Sequence, residues 1–140
     1  MEALDLYKLA EHENIKFYYN DLHDCNGLYY NNSILLNNKI LNTYKEKEVL
    51  AEELGHHFMG VFPSLPFSTD YYNKLIRSKN EFKAFKWQIS KLIPFNKLNR
   101  LLSVNYSKYD IAEELGVSAS LVEEAIEYYK SNKLFYSKFN

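Results

Sequence analysis

Val49-Leu50-Ala51-Glu52-Glu53-Leu54-Gly55-His56-His57-Phe58 places two carboxylates and two imidazoles within two turns of an expected helix. At about 100° per residue, Glu52 and His56 stand one above the other on a single face, with Glu53 offset toward them. Leu50, Leu54, Phe58 and Val61 form an apolar stripe on the opposite side. Such a helix anchors in a core and turns Glu52, Glu53 and His56 into a cleft. His57 lies nearer the stripe and reads as a packing or supporting residue, not as a ligand.

Side chains at i and i+4 around an intervening Glu are the geometry of H-E-x-x-H, in which two histidines hold zinc and the Glu acts as general base on water. Here Glu52 stands at the first His position, so the segment reads E-E-x-x-H. A plainer reading stays open beside it. Glu is a good helix former, and a Glu–His pair four residues apart is common on solvated helix faces.

The 140 residues suffice for one domain with a single core, burying roughly 70% of the unfolded chain's surface. The one cysteine, Cys25, has no C-x-x-C partner, which excludes a Cys-based zinc finger and fits a reducing cytosol. The N-terminal stretch carries no basic region followed by an apolar run, and no segment approaches the ~18 apolar residues of a membrane span. A soluble, cytoplasmic protein without membrane contact is expected. A formal charge of -1 gives the whole chain no electrostatic footprint of a nucleic-acid binder.

Along the chain, residues 2–12 suit a short amphipathic helix ending near Asn14. Residues 15–19 read as a strand, and 28–30 and 33–37 as two more joined across Asn31-Asn32, since Asn tolerates φ > 0. A small antiparallel sheet is expected from these. Thr43 and Glu46 have capping-box spacing at the start of the motif helix, which should stop around Gly60, ahead of Pro63 and Pro66. A loop at 63–69 follows and is expected to border the cleft. Phe82, Phe85, Ile89 and Leu92 then recur at helical spacing from about 80 to 93, and Pro94 separates a further helix at 95–102. Glu81, Ala84 and Gln88 line a neighbouring face of that first helix. With a small Ala one turn on, Glu81 can approach another helix closely and is the candidate third ligand.

Four stretches together resemble the ImmA/IrrE family of zinc-dependent metallopeptidases, in its prophage-type members, over nearly the whole chain. They are Gly27-Leu28-Tyr29 with Ile34-Leu35-Leu36-Asn37, the helix Leu50 to His57, the block from Glu81 through Ala84 to Leu92-Ile93-Pro94, and Ile111-Ala112-Glu113-Glu114-Leu115-Gly116-Val117. The resemblance implies an α+β fold: a small antiparallel sheet packed with a zincin-like motif helix, then a helical C-terminal part. It is taken as one metallopeptidase-like domain over 1–140, with the sheet and metal-site helices in 1–94 and a helical subregion in 95–140. By the same resemblance, His56 and Glu81 are metal ligands and Glu53 is the general base. In the third block, Phe85 and Trp87 replace the family's Asn and Phe.

Glu52 is the departure, because the family has His there. A carboxylate can hold zinc at about 2.0–2.2 Å, so Glu52, His56 and Glu81 form the expected ligand set. Two anionic ligands leave the ion less electron-poor, so Zn²⁺ is the expected cofactor with Mn²⁺ as the competing ion.

Residues 109–122 have helix-turn-helix spacing, with Ala112 and Gly116 where the helices would pass closely and Ser118 as an N-cap. The second helix carries Glu123, Glu124 and Glu127 and no basic residue before Lys130, which would repel phosphates. Packing or docking of a protein partner is expected there, without direct nucleic-acid contact. His12 and His23 sit in polar contexts and are expected to be solvated. The resemblance further implies that the substrate is another protein, a phage or mobile-element helix-turn-helix repressor. The alternative is a catalytically inactive relative that regulates such a repressor by binding it.

Overall fold

The computed structural model describes residues 1–60 and 71–132. Within them the fold is α+β, a three-stranded sheet among six helices. The chain divides into two compact units, Met1–Gln88 and Ile89–Asn140. The loop expected at 63–69, and Val61 of the apolar stripe, lie outside the described residues.

The first unit opens with α1 (Ala3–His12), whose first turn is closed by the Glu2 amide donating to Asp5 Oδ2 at 2.9 Å. The helix buries Leu6 and Ala10, and Asn14 ends it in the left-handed region at φ 58°. Strand β1 (Lys16–Asn20) follows, then β2 (Gly27–Tyr30) and β3 (Ser33–Asn37). Asn31 and Asn32 take φ of 48° and 62°, as a two-residue hairpin turn requires.

The sheet order is β1-β3-β2, and the sheet is mixed. β2 and β3 pair antiparallel as expected, whereas β1 runs parallel to β3, with Lys16 opposite Ser33 and Asn20 opposite Asn37. The cause is local. Once the Asn31-Asn32 turn has paired β2 with one side of β3, only the other side is open to β1. The Asn32 side chain donates to the Asn14 carbonyl at 3.0 Å, and the Lys16 amide donates to the Asn32 carbonyl at 3.1 Å, so both chains enter from the same end.

Helix α2 (Tyr44–Met59) is capped by Thr43, whose hydroxyl accepts from the Lys45 amide at 3.2 Å. The box expected with Glu46 does not close: Glu46 accepts instead from the Asn42 amide at 3.1 Å and from the Tyr7 hydroxyl at 2.7 Å, which ties α2 to α1. Gly60 ends the helix at φ 76°. Leu50 and Leu54 are fully buried, with Ile34, Leu36 and Leu6 elsewhere in this core. Phe58 completes the stripe only in part; it is 37% exposed and stacks on Trp87 with ring centroids 5.2 Å apart.

Helix α3 (Tyr71–Leu92) begins nine residues earlier than the apolar spacing suggested. Tyr71, Tyr72, Leu75 and Ile76 extend the helical spacing of large apolar residues back to the start of this helix, ahead of the stretch from about 80 on which the expectation rested.

The second unit takes in the end of α3 and packs α4 (Phe95–Ser103), α5 (Lys108–Leu115) and α6 (Ala119–Ser131) around Leu98, Ile111, Val122 and Ala125. Tyr129 donates to the Ile93 carbonyl at 2.8 Å. Ser107 and Asp110 form a complete capping box on α5, and Ser118 caps α6 by accepting from the Leu121 amide. The turn between them depends on Gly116 for its left-handed backbone, φ 68°, and not for close packing, since Gly116 is exposed. Glu123, Glu124 and Glu127 are exposed on α6, and Glu123 pairs with Lys108 at 3.0 Å.

Candidate metal centre

The centre is built where α2 meets α3. Gly55 sits so close to α3 that a Cβ there would lie 2.6 Å from the Ala84 carbonyl oxygen. Ala84 is itself fully buried, and the Gln88 side chain donates to the Glu48 carbonyl at 2.8 Å, which fixes α3 a turn further on. One turn before Ala84, Glu81 is thereby carried to the motif face. Its Oε1 lies 3.2 Å from Nε2 of His56.

Glu52, His56 and Glu81 each offer one ligand atom, and the three atoms lie within 4.8 Å of one another. Ligands held at 2.0–2.2 Å around a tetrahedral ion stand about 3.5 Å apart, so this donor set of one imidazole and two carboxylates fits a divalent metal. The His56 side chain is 11% exposed and that of Glu81 61%, so the cluster has an enclosed side and an open side.

The open side is a pocket of about 470 Å³, lined among others by Glu52, Glu53, His56 and Glu81, and by Cys25 to Tyr29 from the start of β2. Gly27 brings that strand onto α2: a Cβ there would meet Val49 Cγ1 at 2.5 Å and Glu53 Cγ at 3.3 Å. The loop before β2 is held by Asn37, which is 4% exposed. Its side-chain amide donates to the carbonyls of Leu22 and Cys25 at 3.1 and 3.2 Å, and its oxygen accepts from the Lys39 amide at 3.1 Å.

Glu53 is 6% exposed, and no described residue donates a hydrogen bond to its carboxyl. Burial pushes its pKa up to about 8; His56 draws it back, while the charges of Glu52 and Glu81 add to the rise. Burial opposes protonation of His56. The Glu81 hydrogen bond and the carboxylates of Glu53, Glu81 and Glu52 outweigh that, and the imidazole is raised above its ordinary value. Glu81 is held below the usual carboxylate range by the His56 hydrogen bond against the cost of burial, with help from Glu52. Two further carboxylates beside Glu53 and one imidazole thus raise both of those groups, and a divalent cation would offset that negative charge.

The structure therefore brings together the four residues singled out from the sequence. His57 stays out of the ligand cluster. It bridges Tyr29 and Glu13, with Nδ1 2.8 Å from the Tyr29 hydroxyl and Nε2 2.9 Å from Glu13 Oε1. His12 and His23 are exposed and line no part of the pocket. Asn80, buried at 5% exposure, also lines it and carried no signal in the sequence beyond its place next to Glu81.

Among the described residues no helix is long and apolar enough to cross a membrane. None of the curated proteins compared matches the chain. Residues 4–127 match the family described as Peptidase_M78, IrrE N-terminal-like domain. With that match over most of its length, the chain belongs to the IrrE N-terminal-like family and is a metallopeptidase-like domain.

Proposed function

We propose that this chain is a zinc-dependent endopeptidase that cleaves a helix-turn-helix repressor of a phage or mobile element. The observation that carries the peptidase half is Glu53: a carboxyl only 6% exposed, with no donor among the described residues, opening on the same pocket as Glu52, His56 and Glu81. Burial of a carboxyl costs stability, and a general base is a use that repays it. The repressor half rests on the family resemblance.

The edge of β2 suits an extended polypeptide. The Asn37 amide donates to the Asn26 carbonyl at 2.9 Å, and Gly27 lies opposite Leu36. In an antiparallel pair the bonding alternates, so Asn26, Leu28 and Tyr30 turn their backbone groups to β3 and Gly27 and Tyr29 turn theirs outward. A substrate strand pairing with those groups runs past the pocket. Held by Glu52, His56 and Glu81, a zinc ion would supply Lewis acidity to the scissile carbonyl and to the attacking water. Glu53 accepts the proton of that water and returns it to the leaving nitrogen, a transfer its enclosure and raised basicity favour.

The experiment is incubation of the zinc-loaded protein with the helix-turn-helix repressor encoded beside its gene. Wild type should cut it, and Glu53→Gln should bind it but lose about 10²- to 10⁴-fold in rate. Equal cleavage by both would remove Glu53 from the chemistry. Binding without cleavage by either would make the protein a regulator that acts by occupancy.

A further inference from the structure

Helix α2 and strand β2 run side by side in step. Gly27 lies against Val49 and Glu53, and two residues on, about 6.6 Å along the strand, Tyr29 meets His57, one turn after Glu53. Tyr29 lines the same pocket as the metal cluster. Behind it His57 is held between two partners, the Tyr29 hydroxyl at 2.8 Å and Glu13 Oε1 at 2.9 Å, with Glu13 delivered by the C-terminal cap of α1.

With one proton on the imidazole, the partners of this chain set its polarity. The Glu13 carboxylate only accepts, so His57 places its N–H at Nε2; the opposite tautomer would set a ring lone pair against the carboxylate. Nδ1 is then an acceptor and takes the hydroxyl hydrogen of Tyr29. The Tyr29 oxygen is left with its lone pairs, and the negative charge of Glu13 is relayed toward it through two hydrogen bonds. In a pocket whose other acidic groups are committed to a cation and to proton transfer, Tyr29 is a neutral acceptor of fixed direction.

We infer that the Tyr29 hydroxyl accepts a hydrogen bond from an N–H group of the bound peptide, with His57 and Glu13 as the positioning residues behind it; the inference rests on the peptidase reading for the pocket's occupant. A strand laid along β2 brings one N–H per residue to this wall, and the scissile nitrogen becomes a stronger donor as it takes up a proton. His57 and Glu13 keep the acceptor pointed and electron-rich. Tyr29 touches the substrate; the other two act through it.

The test uses the zinc-loaded protein with acetohydroxamate and N-methylacetohydroxamate, two metal-directed ligands that differ in one N–H. Wild type should prefer the N–H ligand about five- to tenfold more strongly than Tyr29→Phe does, the scale of one hydrogen bond. His57→Phe should lose the same preference while binding the N-methyl ligand unchanged, whereas a merely structural role would weaken both ligands alike. Nitrogen-15 spectra of the wild type should show the His57 proton on Nε2. An N–H preference identical in wild type and Tyr29→Phe, or a proton on Nδ1, overturns the inference and leaves the peptidase reading standing. Failure of zinc-loaded wild type to bind either ligand overturns both.

Discussion

Gly55 of α2 and Ala84 of α3 meet backbone to backbone, with room for no side chain at Gly55: an added Cβ would stand 2.6 Å from the Ala84 oxygen and 2.9 Å from its Cα. That contact sets how far Glu81 stands from His56, and it makes Gly55 a determinant of a centre it does not line. Gly55→Ala would ordinarily stabilise a helix interior by about 1 kcal/mol. Here it should destabilise by about 1–3 kcal/mol, because neither backbone can yield as a flexible side chain would. Thermal melts and zinc titrations of the variant check this; a more stable protein with unchanged zinc affinity would contradict the role given to the contact.

Glu53 makes the metal-free protein sensitive to pH. Its folded value of about 8 lies above the ordinary 4.5, so between those values the folded state holds a proton that the unfolded chain has released. Stability therefore falls as pH rises from about 4.5 to 8, by several kcal/mol at ~1.4 kcal/mol per pH unit for one proton. His56, also raised, contributes stability below its unfolded value that is lost as pH passes the folded one, the same direction. Urea unfolding of metal-free protein at pH 5.5 and 8 should show the loss, and Glu53→Gln should flatten most of it. A wild-type protein equally stable at both values would contradict the burial argument.

Asn37 holds the loop that carries Cys25 and Asn26 to the pocket wall. Asn37→Leu keeps the branched shape but leaves the carbonyls of Leu22 and Cys25 without their donor. A loss of about 1–3 kcal/mol is expected by chemical denaturation. Hydrogen exchange should quicken in residues 22–27 first, and uniform protection there would show that the loop does not depend on this side chain.

Glu52 distinguishes a ligand from a solvated helix residue. Glu52→Ala should lose the ion, whereas Glu52→His rebuilds H-E-x-x-H on the same face and should keep zinc while disfavouring Mn²⁺. Competition between the two metals reads this directly. Full zinc occupancy in Glu52→Ala would exclude Glu52 from the ligand set.

Much of this was legible from local pattern. The i, i+4 spacing of Glu52 and His56, the Asn31-Asn32 turn and the Thr43 and Ser118 caps are short-range signals, and the elements they mark formed at those residues. The meeting of Glu81 with His56 was foreseeable because Ala84 marks a close approach, although the matching mark, Gly55, lies inside the motif and passed unread. What stayed hidden depends on distant partners. The parallel pairing of β1 is set by Asn32 reaching back to Asn14, and His57 draws its partners from 28 and 44 residues away. No periodicity encodes such contacts.

Whether Glu52, His56 and Glu81 hold one divalent ion is read by elemental analysis of purified wild type beside His56→Ala, whose only change is the loss of the one nitrogen ligand. One zinc per chain is expected in the wild type and none in the variant, with both proteins folded by circular dichroism. Equal metal in the two proteins would contradict it.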